Sequence, residues 1–218
     1  MHYRCPVTKQ ARSLVTREAI LRSAGAVFSQ HGYSAAMLSD VVAAAGVTQG
    51  SLYFHFASKH ALASEVLVRQ HERAVELIEG VDPQARSLES LVLFSVGFAR
   101  QIVTDPIVRG GLRLSTDSPL SFPDIASRPY EDWIDACEAM LVGAAAEGDV
   151  DGERDLHALA RFVMSSYTGV QVVSQAITGW DDLLPRVREM WAIILPEILV
   201  ADRRADAAVL AALVPETA

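Results

Sequence analysis

Cysteine is almost missing from this 218-residue chain. Cys5 and Cys137 are too few for a disulfide framework and point to a reducing, cytoplasmic setting. No apolar run approaches the ~18 residues that a membrane helix needs; the longest candidate, Leu91 to Ala99, lies between Glu89 and Arg100. A membrane location is therefore excluded. The first eight residues carry Arg4 and Pro6 but no apolar core of a secretory signal. Aromatics make up only 7% of the chain while Ala, Leu and Val abound, which favours an all-α fold over a strand-rich sandwich or barrel. Positive charge is also scarce, with 19 basic side chains against 27 acidic ones and a net charge of -8. The deficit is uneven. Residues 1–60 hold six basic side chains and two acidic, a net +4, which leaves -12 for the remainder. A small basic module facing an acidic ligand, attached to an acidic body, follows from that split.

Apolar spacing organises the chain into helices. Ile20, Ala24, Val27 and Phe28 predict a helix over 16–31, capped by Thr16 and stopped at Gly32. Leu38, Val41, Val42 and Ala45 predict a short second helix ending at Gly46, where a positive φ turns the chain sharply. Thr48 caps a third short helix with Leu52 and Phe56 on its apolar face, and Ser58 caps a long fourth from Lys59 to about Glu79. Further helices are expected at 87–104, 106–115, 130–147, 155–178 and 183–201, the last kinked or ended by Pro196, with an Ala-rich one near 203–214. Residues 116–129, with three prolines, form the longest irregular stretch. The domains expected are 1–58, a helix-turn-helix module, and 59–218, a helical body.

The informative segment is Leu38 to Phe56, LSDVVAAAGVTQGSLYFHF. Two short helices around a Gly-containing turn form a helix-turn-helix, whose second helix offers its first turn to base edges in the major groove of double-stranded DNA. Thr48, Gln49, Gly50 and Ser51 start that helix: short polar groups, an amide able to pair bidentately with adenine, and a glycine allowing close approach. Tyr53, His55 and Lys59 can donate to phosphate, as can Arg17 on the first helix. The run Tyr53, Phe54, His55, Phe56 reads as two rings turned inward and two polar tips outward.

AGVTQGSLYFHFASKHAL at Ala45–Leu62 and TREAIL at Thr16–Leu21 resemble the TetR family of bacterial transcriptional regulators. DPIVRGGLRLSTD at Asp105–Asp117, PYEDW at Pro129–Trp133 and YTGVQVVSQ at Tyr167–Gln175 resemble its γ-butyrolactone receptor branch. The resemblance implies a homodimeric repressor that leaves a near-palindromic operator when a small lactone binds, with no cofactor and no metal. Ala36 and Met37 depart from the family pattern, standing where Ser or Thr usually caps the second helix, and Gln49 stands where this branch often has Lys. Such a protein controlling an efflux pump in response to mixed drugs is the alternative, and a helical adaptor without DNA is another.

In the body, the resemblance makes Trp133 a wall of the ligand cavity. Thr168 and Gln171 place polar groups three apart on an otherwise apolar helix and need buried partners, a ligand carbonyl or a dimer-interface hydrogen bond; Gln70 is a further ligand candidate. Phe162, Ser166, Gly169, Val173 and Ala176 share one helical face, and Val187, Met190, Trp191, Ile194 and Ile198 share another. These faces resemble the family's intersubunit four-helix bundle, so Ser166, Gly169, Val173, Ala176, Trp191 and Ile194 are assigned to the dimer interface. An enzyme is not expected. His60 and His71 lie eleven residues apart on one helix, about 16 Å, too far for one metal, and no nucleophile with a positioned base is recognisable.

Overall fold

The computed structural model describes residues 9–80, 82, 84–117 and 119–217. Helices account for the architecture; among the described residues no strand forms beyond a single bridge between Val150 and Leu199. The first four helices are α1 (Lys9–Ala35), α2 (Leu38–Ala45), α3 (Gln49–His55) and α4 (Lys59–Glu79). They are followed by α5 (Ser87–Thr104), α6 (Pro106–Asp117), a single-turn α7 (Pro123–Ala126), α8 (Arg128–Ala146), α9 (Leu156–Thr178), α10 (Leu183–Ile198) and α11 (Ala207–Ala211).

Several boundaries differ from expectation for local reasons. Thr16 does not start α1: its Oγ1 donates to the Arg12 carbonyl at 2.9 Å inside a helix that begins at Lys9. Gly32, at φ 69° and ψ 177°, does stop the regular helix, and one further turn to Ala35 follows across the kink. Pro196 leaves α10 intact for two more residues, since a proline this close to the end removes little of the ladder. The stretch 116–129 is more ordered than its prolines suggest, holding a 3₁₀ turn at Pro119–Ser121 and then α7. The expected helix over 203–214 is a 3₁₀ turn (Ala201–Asp206) followed by the short α11.

The chain forms two compact units. The first runs to Glu72 and adds Asp105–Ser127; the second is Arg73–Thr104 with Arg128–Ala218. This partition differs from a cut at residue 58, because most of α4 and all of α6 pack with the N-terminal helices. Glycine explains the placement of α6. A Cβ on Gly25 would sit 2.4 Å from the Pro106 carbonyl oxygen, and one on Gly110 would sit 2.5 Å from the Gly25 carbonyl oxygen, so α1 and α6 cross backbone to backbone. Ile20, Phe28, Leu52, Leu62 and Leu114 fill the core beside this crossing, and Phe122 seals it. The Phe122 ring is buried edge-on against Tyr33 at 5.0 Å and stacked on His60 at 4.9 Å.

In the second unit α5 packs on α8 and α10, and α9 on the same two. A carboxylate ties its periphery together. Asp149, 2% exposed, accepts two hydrogen bonds of 2.8 Å from Arg86 and an ion pair of 2.6 Å from Arg203. The hydrogen bond to Asp149 raises the Arg86 pKa further, so the guanidinium keeps its charge. The start of α5, the α8–α9 turn and the segment after α10 are thereby joined.

Candidate functional site

The turn between α2 and α3 follows from Gly46, at φ 63° and ψ 33°; the N–H of Val47 then returns to the Val42 carbonyl at 3.2 Å. Met37 caps α2 without a side-chain hydrogen bond, as its departure from the family pattern implies. Thr48 caps α3, its Oγ1 accepting from the Ser51 N–H at 3.1 Å. Each residue of a helix advances about 100°, so buried Leu52 and Phe56 fix the inner side and leave Gln49, Gly50, Tyr53 and Phe54 on one outer sector. Ser51 and His55 flank it, half-buried. A Cβ on Gly50 would meet nothing nearer than Thr48 Oγ1 at 4.0 Å, so the fold itself does not require a bare backbone there.

Phe54 corrects the sequence reading. It is 80% exposed, because residues 54 and 56 lie about 200° apart on a helix; the inward–outward alternation belongs to a strand. A helical wheel drawn from Leu52 would have found it. Tyr53 beside it is 49% exposed. Two other assigned residues are engaged within the module. Arg17 pairs with Glu65 at 2.6 Å and lies over the Phe56 ring, and Lys59 donates to the Ser34 carbonyl at 3.2 Å and lies over the Tyr33 ring. Both are struts between α1 and α4.

Inside the second unit a narrow apolar cavity lies among α5, α8, α9 and α10, walled by Phe94, Phe98, Trp133, Val163, Tyr167 and Trp191. Its free volume is about 20 Å³. Ser95 is its polar node: the Tyr167 hydroxyl donates to the Ser95 carbonyl at 2.8 Å, and Trp191 Nε1 donates to Ser95 Oγ at 2.8 Å. Burial pushes the Tyr167 hydroxyl far above its ordinary pKa, outweighing the opposing hydrogen bond with Gln171, so it stays a neutral donor. Burial likewise raises the Cys137 thiol to about 12, leaving it an inert filler of α8.

Of the four ligand candidates only Trp133 lines this cavity. Gln171 is buried beside Tyr167, and Thr168 is half-buried and off the wall. Gln70 belongs to the first unit, packed so tightly on Gly111 that a Cβ there would lie 2.5 Å from its own Cβ. Trp191 is fully buried within the protomer and bonded to Ser95, on the cavity wall and away from the α9–α10 groove. Of the other residues expected at a dimer interface, Ser166, Gly169, Val173 and Ile194 line an open groove of about 410 Å³ between α9 and α10, and Ala176 is exposed further along α9.

Residues 20–66 match the family of bacterial regulatory proteins called tetR, and residues 85–200 match the tetracyclin repressor-like C-terminal domain. The chain belongs to the TetR family. It is 38% identical over 193 residues, 88% of this chain and 67% of the relative, to the A-factor receptor protein of Streptomyces griseus. A solved gamma-butyrolactone receptor described as an ArpA-like protein is 34% identical with a TM-score of 0.81, over 93% of this chain and 98% of that one. CprB from Streptomyces coelicolor, solved in complex with its biological operator sequence, is 34% identical with a TM-score of 0.80, over 93% and 97%. This TetR protein is therefore a ligand-responsive, DNA-binding repressor of helix-turn-helix type, a family of regulators and not of enzymes. Among its described residues no single helix is long and apolar enough to cross a membrane.

Proposed function

We propose that the protein works in the cytoplasm as a homodimer on a near-palindromic operator, and that a γ-butyrolactone-type signal entering the cavity beside Trp133 releases it. The observation that carries this reading is the aromatic cavity around Trp133, in a body that resembles the A-factor receptor along most of its length. A small, mostly apolar ring suits aromatic walls, and few polar groups are needed to orient it. On α3, Gln49, Gly50 and Ser51 would read bases, with apolar Phe54 and Tyr53 against thymine methyls and the backbone, and Thr48 and His55 holding phosphate. Arg17 and Lys59 act indirectly, by setting α1 against α4.

Dimerisation would cover the α9–α10 groove and the exposed apolar side chains Phe162, Val173, Ile177 and Ile193 along it. A 20 Å³ cavity has room for about one water, so a lactone binds only an expanded body. Release requires that the expanded state hold DNA less well than the closed one. Three covalent connections can carry the change: α4, continuous from Lys59 beside the reading helix to Glu79 in the second unit, the α5–α6 junction at Thr104–Asp105, and the α7–α8 junction at Ser127–Arg128. The test is a mobility-shift titration of operator fragments selected from the source genome, using a series of 2-alkanoyl-γ-butyrolactones. Trp133→Ala is expected to keep operator binding and to need more than about tenfold more lactone for release, as loss of a buried aromatic contact implies. Thr168→Val, off the wall, should shift release less.

A further inference from the structure

Resting on that reading, we propose that Phe94 is a movable partition between two chambers of one ligand site, and that the outer chamber takes the neutral alkyl chain of the lactone. The inner cavity, at about 20 Å³, is far below the roughly 150 Å³ that admits a benzene-sized ring. A wall must therefore move. Phe98, Trp133, Val163, Tyr167 and Trp191 are each at most 4% exposed, and Tyr167 and Trp191 are also hydrogen-bonded to Ser95. Their displacement breaks core packing or polar bonds. Phe94 is half-buried, has no polar atom to satisfy, and stacks on Phe98 with parallel planes and centroids 6.2 Å apart.

Phe94 also lines a second space, and this decides the direction of movement. A groove of about 230 Å³ lies between the end of α4 and α5, bordered by Leu77, Gly80, Asp82, Ala85 and Leu93. Rotating the Phe94 ring joins that groove to the inner cavity and adds the volume the ring vacates. The combined space approaches the roughly 300 Å³ at which small-ligand pockets begin. Its two ends differ in chemistry. The inner end has Trp133 and the Ser95 node for a polar ring, whereas Leu77, Leu93 and Phe94 offer a chain only apolar contact. Asp82 at the rim repels a carboxylate, so the chain is neutral.

Two measurements test the partition separately from the lactone reading. The first is alkylthiolation, by methyl methanethiosulfonate, of Val163→Cys inside the inner cavity, in a background carrying Cys5→Ser and Cys137→Ala. If the open state is the minor one, Phe94→Ala is expected to raise the labelling rate by about tenfold or more, and Phe94→Trp to lower it. The second is calorimetric titration with 2-alkanoyl-γ-butyrolactones of two to eight chain carbons. In the wild type each added methylene is expected to tighten binding about fourfold. In Phe94→Trp, where the larger ring blocks the passage, the gain should fall below about twofold while the shortest lactone binds as before. Equal labelling rates in all three proteins, or an undiminished chain-length gain in Phe94→Trp, would overturn the partition even if lactones bind. Labelling that responds to Phe94 in a protein that binds no lactone would leave the partition standing and remove the lactone.

Discussion

The two units place their chemistry on opposite sides of their cores. The first has a closed interior, with Phe28, Leu52, Leu62 and Phe122 buried, and carries its exposed chemistry on the outer sector of a seven-residue helix. The second turns its chemistry inward, where a serine, a tyrosine and two tryptophans share a nearly filled cavity. Recognition and stability are therefore separable in the first unit and entangled in the second. A DNA duplex must be met by a rigid surface, while a small ligand must be admitted by a wall that gives way.

Glycines and aromatics of the two units give the sharpest ways to break this comparison. The largest effect is expected from Phe122→Ala. It should destabilise the first unit by about 3–5 kcal/mol in chemical denaturation, the usual cost of emptying a buried aromatic site, and a loss under about 1 kcal/mol would show that the ring does not seal the core. Next is Gly25→Ala. Its Cβ would fall 2.4 Å from a backbone oxygen that cannot swing aside, so α1 and α6 must separate at a cost of about 1–3 kcal/mol or more. In the second unit a Cβ on Gly169 meets nothing within 4 Å. Gly169→Leu should therefore leave the protomer folded yet convert the dimer to monomer in sedimentation and abolish operator binding. An intact dimer would move the interface elsewhere.

Phe54→Ala is expected to leave thermal stability within about 0.5 kcal/mol, as exposed substitutions do, while weakening operator affinity in a mobility-shift assay. Unchanged affinity would take Phe54 out of the interface. The smallest effect is one of pH. Hydrogen bonds from Ser174 and Thr178, then the pair with Arg186, hold the Asp182 carboxyl down at about 2. With the folded pKa depressed, its contribution is complete above the ordinary carboxylate range, near 4, and is lost as pH falls toward 2. Asp182→Asn should remove that part of the acid-induced loss of stability by lowering the neutral-pH melt, while the melt near pH 2 changes little.

Local signals made the first unit's reading helix legible. Thr48, Gly46 and Ser58 act within a few residues of where they stand, and the sequence places α2, α3 and the start of α4 to the residue or nearly so. The same local reading missed Phe54 by applying a period of two to a helix. Features that depend on distant residues were not visible. Nothing near Phe122 announces that it plugs a core built from α1 and α4, and the Gly25–Gly110 crossing joins positions 85 apart. In the second unit Trp133 was found through a family motif, but Ser95 is an ordinary serine within an apolar run. Its role exists only once Tyr167 and Trp191 arrive from two other helices. The place of Trp191 on the cavity wall is hidden for the same reason: its spacing marks an apolar face of α10 without saying which neighbour covers it.

The central claim, that an outward-facing reading helix is governed from an inward-facing lactone cavity, is tested most directly by one titration. Operator complexes of the wild type and of Trp133→Ala are challenged with the same 2-alkanoyl-γ-butyrolactone while free and bound DNA are counted. The account predicts equal operator affinity without lactone, release of the wild type, and release of Trp133→Ala only at much higher concentration. Equal release of both proteins, or a wild-type complex that no lactone in the series dissociates, would contradict it.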